Sequence, residues 1–462
     1  MYRAGAWGPW FSRSILPHGA VRPKNVEEIQ EILKIANRDK IPIVPFSTGF
    51  EQTSWQGGLV LDTYSRMNKI HQIDTDSGYA LVEPGVTCGR LLEELRPLGY
   101  WIPFGSFPPT FSMVTTLVCN SAYTNSMGRE DDPLIGVEAV LPSGELLRTG
   151  TAGLGFDWWC VGRALRDLRL LFSPSNGTTG IITKAALRII PLGETQAIVI
   201  GGFNNFNNAV NWTNMVTREM MVNTAMVWSY RWAHWQNWAH LGGKGYFDYV
   251  NQMLNLKPWE SPKGFYNNYA FASISGYKEQ VNGNVKTCER LVKQLDGDIV
   301  TNKFKEQLPG CWEKWQHNFV EHKNAGMTQK LSHVYGVDGS EASFIVETNI
   351  RDCKKFHHSF LRLLYKKYGI RAVRYYTRQH DHGRITFMRY VWMHDKYDKE
   401  TLNRELAVQN QISQWMNTQE FKEEFPNIRK FPEANAPPKY NLAKLWNSIE
   451  RLIDPNNIMH PA

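Results

Sequence analysis

IPIVPFSTGFEQTSWQGGLVLDT, residues 41–63, sets two short apolar runs on either side of a loop of small, hydroxyl-bearing and glycine residues. IPIV at 41–44 and GLVLDT at 58–63 read as buried strands. The loop between them has the composition of backbone that closes around a phosphate. Gly49 supplies a bend without a Cβ, so that successive N–H groups can approach an anion, and Ser47, Thr48 and Thr53 add hydroxyl donors. Taken alone, the stretch fits a Ser/Gly surface turn better.

The segments around it decide between the two. Before it, VRPKNVEEIQEILKIANRD (21–39) places Val26, Ile29, Ile32, Leu33 and Ile35 at helical spacing, with Asn25 as N-cap and acids in the first turn. After it, YALVEPGVT is a strand running into the turn Pro84-Gly85, and CGRLLEELRPLG is a helix stopped by Gly99. IGVEAVLPSGELLRTG reads as a hairpin around Pro142-Ser143-Gly144, and LFSPSNGTTGIITKAALRIIPLG as a glycine-rich turn followed by an alternating strand. The order of elements is α+β. Near residue 194 the composition shifts toward Asn, Trp and Met, which divides the chain into 1–193, 194–398 and a helical tail, 399–462.

Composition narrows the function classes. The 462 residues are 42% hydrophobic and 21% charged, enough for two or three globular domains. No window holds about 18 consecutive apolar residues, and MYRAGAWGPWFSRS lacks a charged segment followed by an apolar core. A cytoplasmic protein without a membrane span is therefore expected. Six cysteines are scattered without a CxxC or a Cys/His cluster, so no zinc or iron–sulfur site is expected in this chain. The net charge of +8 comes without long basic runs or an RNP-like pattern, which excludes nucleic acid as the expected partner and leaves an anionic substrate or an acidic protein.

In this order, VRPKNVEEIQEILKIAN, IPIVPFSTG, VEPGVT, LPSGELLRTG, LFSPSNGTTGIITKAALRIIP and IDPNNIMHP resemble the flavoprotein family typified by vanillyl-alcohol oxidase and p-cresol methylhydroxylase, to which the FAD subunits of glycolate oxidase are similar. The resemblance implies FAD, bound by a two-part α+β domain (1–193 plus the tail), and an α+β cap or substrate domain (194–398), in which CKKFHHSFLRLLYKKYGIRAV supplies a long helix and the following strand. It implies a pyrophosphate loop of Pro45, Ser47, Thr48, Gly49, Phe50, Glu51 and Thr53, a turn at Pro84 and Gly85, and contacts from Ser106, Met113, Val114 and Thr115. Asn120, Tyr123 and Gly128 would lie on the same face, and Gly180 and Ile182 against the adenosine half.

The sequence also departs from that family. Phe50 and Glu51 stand where relatives carry basic or further Gly residues, and no His lies between residues 20 and 70, so the flavin is not tethered through this loop. FGSFPPTF lacks the Asp of phenol-oxidising members. FPNIRKFPEANAPP replaces their Tyr-Arg pair, with Arg429 as a remnant.

The reacting groups are then sought in RYYTRQHDHGRITFMRYVWMHD (374–395), where His380, Asp381, His382, Arg384 and Arg389 cluster. Hydride removal from an alcohol needs a base and, for an acidic substrate, a cation. His380, His382 and Arg384, with Tyr123, are the candidates; a solvated turn is the competing reading. The two His of HDH lack a clear third ligand, so no metal is expected. Five of the 17 Trp fall within residues 212–238, and Trp228, Trp232 and Trp235 at helical spacing read as a packing stripe, with a docking face as the alternative.

Together these readings give an FAD-dependent dehydrogenase. The expected reaction takes a hydride from an alcohol or benzylic C–H of a small substrate, an aromatic one among the options, and passes electrons to a protein acceptor, for which an iron–sulfur or cytochrome subunit is a candidate, within a homo- or hetero-oligomer. The alternatives are a 2-hydroxy acid dehydrogenase of the glycolate or D-lactate kind, with Arg384 or Arg378 on the carboxylate, and a flavin-bearing electron-transfer subunit of a larger redox complex.

Overall fold

The computed structural model describes residues 17–48, 57–102, 110–118, 133–161, 167–173, 177–241, 253, 255–316, 340–394, 399–430 and 441–459. Contacts divide them into two units, one drawn from 1–123, 130–192 and 434–462, the other from 193–433.

The first unit opens with β1 (Gly19–Val21), α1 (Val26–Asp39), β2 (Ile43–Phe46) and β3 (Leu59–Asp62), whose strands form a parallel sheet in the order β1-β3-β2. The Asn25 side chain accepts the Glu28 N–H at 3.0 Å, so α1 starts where its cap is written. Ile29, Leu33 and Ala36 on one side of α1 pack against Ile43 and Leu61, while Ile35 stays 46% exposed.

There follow β4 (Ile70–Asp74), β5 (Tyr79–Val82), α2 (Cys88–Leu95), β6 (Tyr100–Trp101), α3 (Met113–Val118), β7 (Leu134–Val140), β8 (Leu146–Arg148), β9 (Ile181–Arg188) and β10 (Ile190–Pro191). Five of these strands make an antiparallel sheet, β4-β5-β9-β7-β8. Leu91 and Leu95 of α2 and Met113 and Leu117 of α3 fill its core beside Val82, Val137 and Leu187.

The second unit is built on an antiparallel sheet, with β14-β11-β13-β12-β16-β17-β15-β18 as its order among the described residues. In chain order its elements are β11 (Thr195–Phe203), α4 (Phe206–Arg218), β12 (Thr224–Ser229), α5 (Tyr230–Leu241), β13 (Asn268–Gly276), α6 (Lys278–Gln294), β14 (Asp298–Ile299), α7 (Thr301–Gln307), α8 (Pro309–Trp315), β15 (Ser340–Thr348), α9 (Ile350–Lys366), β16 (Arg374–His380), β17 (Ile385–His394), α10 (Lys399–Asn417), α11 (Gln419–Glu424) and β18 (Arg429–Lys430). One face of the sheet is apolar. Val227, Ala272, Phe344, Met388 and Tyr390 meet Phe206, Val210 and Trp212 of α4, Val292 of α6, and Phe356 and Phe360 of α9.

Two expectations change here. Residues 399–430 do not join the returning tail. Val408 and Ile412 of α10 and Phe421 of α11 enter the core of the second unit, and the Trp392 indole N–H donates to the buried Glu405 carboxylate at 2.7 Å. The return is made later, by α12 (Leu442–Ile453) and the residues after it. There Ile43 pairs in parallel with Met459, and its N–H donates to Ile458 O at 2.7 Å.

The Trp stripe is also not a single helix face. Trp228 is the last residue but one of β12, whereas Trp232 and Trp235 belong to α5; the three are buried at 4%, 5% and 2% exposure, so the packing role stands and the helical spacing is a coincidence of a strand-to-helix junction.

Charge is buried in the first unit at Glu138 of β7. Its carboxylate accepts from Lys184 Nζ at 2.9 Å, Thr183 Oγ1 at 2.9 Å and Arg148 Nε at 2.8 Å. Burial alone would raise its pKa, but these three contacts outweigh burial and hold it below the ordinary value. A lowered acid pKa contributes stability above the ordinary carboxylate range, and that stability is lost as the pH falls through the lowered value. Glu138→Gln is expected to cost about 1–3 kcal/mol at neutral pH. The difference in melting temperature from wild type should shrink below about pH 4; a difference that persists there in thermal scans would show that the charge is not what matters.

Candidate functional site

Four segments far apart in sequence converge in the first unit. Ser47, just past β2, donates its hydroxyl to Pro84 O at 3.3 Å, and the Ser112 hydroxyl donates to the same carbonyl at 2.5 Å. Ser112 also donates its N–H to Thr48 Oγ1 at 3.3 Å and caps the start of α3 by accepting the Thr115 N–H at 3.1 Å. Gly177 completes the group. Its φ is +81°, and a Cβ there would lie 2.6 Å from Pro45 Cγ, so the approach of these two loops requires glycine.

These contacts join Pro45, Ser47 and Thr48 to the turn of Pro84 and Gly85 and to Thr115. Met113 and Val114 are buried in the core at 0% and 1% exposure, and the Met113 N–H donates to Val86 O at 3.0 Å. Gly180 and Ile182 lie at the start of β9, alongside β7, where Ile182 pairs with Ala139. Gly49, Phe50, Glu51, Thr53, Ser106, Asn120, Tyr123 and Gly128 fall outside the described residues. Ser112 and Gly177 were missed by the sequence reading, although a Ser followed three residues later by the Thr115 N–H is an ordinary helix-start signal.

The donor set suits an anion. It sits past the carboxyl end of a parallel strand, and no acid occurs among residues 45–48, 84–85, 112–115 and 177–180. Neighbouring Glu83 is occupied elsewhere, accepting the Lys69 N–H at 2.7 Å and lying 3.1 Å from His71 Nε2.

In the second unit, the register of β12, β16, β17 and β15 sorts side chains onto two faces. Tyr375 of β16 faces the helices: it packs edge-on against Phe206 of α4 and His357 of α9. Burial there holds His357 neutral, its pKa lowered well below the ordinary value. The opposite face carries Arg374, Tyr376, Arg378 and His380. Trp228, Tyr376, Arg389 and Ile345 form one rung across the four strands; Met226, Arg378, Phe387 and Glu347 form the next.

All of the charged members are buried, Arg374 at 2% exposure, Arg378 and Arg389 at 5%, and Glu347 at 8%. Aromatic rings accommodate them. The Arg374 guanidinium lies 4.1 Å from the Trp235 ring centre, Arg378 lies 5.1 Å from that of Tyr376, and Arg389 Nε donates to Ser343 Oγ at 2.8 Å.

The HDHGR cluster is split by this geometry. His380 is the last residue of β16, 1% exposed and edge-on to Phe387. Asp381, His382 and Gly383 adopt left-handed conformations in the hairpin turn, and Asn214 of α4 donates to Gly383 O at 2.8 Å. Arg384, read as a catalytic cation, has a 69% exposed side chain paired with Asp381 at 3.1 Å. Thus His380 and Arg378 belong to the buried face, while Arg384 and His382 belong to the turn. No group of three His, Cys, Asp or Glu side chains placed to hold a metal occurs among the described residues.

Comparison with known proteins bears on both units. The sequence profile of a family described as FAD binding domain matches residues 17–150. Over 96% of the chain and 87% of the relative, the sequence is 25% identical to the 4-cresol dehydrogenase [hydroxylating] flavoprotein subunit of Pseudomonas putida. The fold matches p-cresol methylhydroxylase with substrate bound at a TM-score of 0.79 and 22% identity, covering 100% of this chain and 91% of that one. The chain carries an FAD-binding domain of the p-cresol methylhydroxylase type. It is an FAD-dependent oxidoreductase.

A further likeness covers less than half of the chain. The glycolate oxidase subunit GlcD of Bacillus subtilis is 32% identical over 42% of this chain, and the match spans 41% of that relative's length.

If the hairpin turn is outside the reacting site of this oxidoreductase, Arg384→Ala should shift stability by less than about 1 kcal/mol, because an exposed ion pair contributes little. It should also leave substrate-driven flavin reduction unchanged. A loss of about tenfold or more in kcat/KM would restore Arg384 to the chemistry.

Proposed function

We propose that the protein oxidises a small aromatic substrate at a benzylic or alcohol C–H and passes the electrons to a protein acceptor. The observation that carries this reading is the buried face of β16 and β17, where guanidinium groups alternate with flat aromatic rings. Such a face suits a substrate with a planar ring and an anionic or acidic oxygen. The relative that matches along nearly the whole chain is named as a cresol dehydrogenase and as a flavoprotein subunit, which supports both the substrate class and an acceptor on a separate chain.

The residues divide the work. The hydroxyls of Thr48 and Thr115 would hold the FAD pyrophosphate, with Ser47, Gly85, Ser112 and Gly177 fixing the loops that present them. When bound, FAD supplies the acceptor for the substrate hydride. Arg378 and Arg389 would hold the anionic oxygen of the substrate and orient its ring, and the imidazole of His380 would take the hydroxyl proton of an alcohol. Burial of all three keeps water from competing for those contacts.

A 2-hydroxy acid is the second reading, favoured by the same buried arginines, which would bind its carboxylate. It has less support, because the glycolate oxidase likeness covers only 42% of this chain.

Anaerobic bleaching of the flavin absorbance separates the two. Benzylic alcohols and alkylphenols should reduce the flavin, and glycolate and D-lactate should not. Reduction by the hydroxy acids alone would overturn the first reading in favour of the second, and bleaching by neither panel would reject both. Independently, Ser112→Ala should purify with less bound FAD and lose about 1 kcal/mol of stability from the missing helix cap.

A further inference from the structure

A β-bulge adjoins the loop junction of the first unit. Between β4 and β5, Ile70 pairs with Val82 and Gln72 with Leu81, so β4 advances two residues while β5 advances one, and His71 is the extra residue. A bulge re-aims the side chain that it carries, and bulges gather beside functional sites. Here the imidazole meets the residue that follows β5: His71 Nε2 lies 3.1 Å from Glu83 Oε1.

Glu83 is 6% exposed and is fastened to the same stretch of chain at three points. Its Oε2 accepts the Lys69 N–H at 2.7 Å, its own N–H donates to Lys69 O at 3.0 Å, and its Oε1 faces His71. Two residues on, the Gly85 N–H donates to Met67 O at 2.7 Å, and a Cβ at Gly85 would lie 2.5 Å from both Met67 O and Tyr64 O. Residues 64–71 thus brace the turn of Glu83, Pro84 and Gly85, whose Pro84 carbonyl takes the hydroxyls of Ser47 and Ser112.

A carboxylate works against an anion bound nearby, so a buried acid one residue from this junction is a poor choice unless its bonds are needed. Those bonds fix the turn, and a charged acceptor makes them stronger than a neutral one would.

Taking this junction as the pyrophosphate site, as proposed above, we infer that Glu83 and His71 are positioning residues for the cofactor. Together they hold the Pro84-Gly85 turn where the pyrophosphate-binding loops meet, and so set how tightly the protein retains FAD. Neither side chain needs to touch FAD for this.

The FAD-loaded protein is diluted in series below the melting transition of every variant, and bound and free FAD are separated by ultrafiltration. The dissociation constant then reports the folded protein alone, and a residue that only adds stability leaves it unchanged. Glu83→Ala should raise the constant about 10- to 100-fold through the loss of hydrogen bonds to a charged group, and His71→Ala about 3- to 10-fold. Glu83→Gln, which keeps an oxygen for the Lys69 N–H, should stay within about threefold of wild type. The His71 side chain is 32% exposed, so its variant carries the test even where Glu83→Ala does not fold.

Unchanged dissociation constants in Glu83→Ala and His71→Ala, beside lowered melting temperatures, would assign the pair to stability and overturn the inference. A wild type that releases no FAD on dilution would overturn it too, because something other than this turn would then retain the cofactor. Ser112→Ala, run in the same series, separates the two levels. Weaker FAD binding there with no change in the pair variants rejects the role of Glu83 and His71 alone; no change in Ser112→Ala rejects the junction as the pyrophosphate site, and the positioning role with it.

Discussion

The pairing register of β16 between β12 and β17 governs the second unit. Side chains on a strand alternate between faces, so a slip of one residue would exchange the whole set. Arg374, Arg378 and His380 would then be driven under α4 and α9, into a core of Phe206, Phe356 and Phe360, while Tyr375 would leave its bond to Asn268. Placing guanidinium groups in such a core without partners is among the costliest errors a fold can make. The charged residues therefore do more than line a face: they penalise every register but one. The aromatic rings beside them, Trp232, Trp235 and Tyr376, make the surviving register tolerable by offering π faces to the cations.

The first unit was legible to a degree that follows from local physics. Asn25, Gly99 and the Pro142-Ser143-Gly144 turn act within four residues of themselves, and the structure uses each where it is written. FAD and the two-part α+β architecture were implied by the resemblance of these segments, in their order, to a flavoprotein family. What the sequence could not supply was which loops meet. The Ser47 and Ser112 hydroxyls share one carbonyl, that of Pro84, across 37 and 28 residues of chain, and nothing local announces that.

The charged face was less legible for a different reason. RYYTRQH is polar or aromatic at every position, so it offers no alternation from which to assign inside and outside. Nearness in sequence then grouped His380, His382 and Arg384, which the hairpin turn separates. Trp228, Trp232 and Trp235 misled in the opposite way: a true packing cluster mimicked a helical period because a strand hands over to a helix between Ser229 and Tyr230. Residues 399–430 carried helical composition with no sign of destination, and Val408, Ile412 and Phe421 settled it by packing into the second unit.

The parallel pairing of Ile43 with Met459 has a bearing on the order of events during synthesis. The first unit is assembled from both ends of the described chain, with the second unit inserted between them. While the ribosome is still working through residues 193–433, β2 has an open edge, and the carbonyl of Ile458 that will take the Ile43 N–H does not yet exist. The inserted unit is contiguous and can fold as it emerges. The outer unit has to wait, and a chain cut short anywhere before that final segment would carry a finished inner unit inside an outer one that never closes its edge.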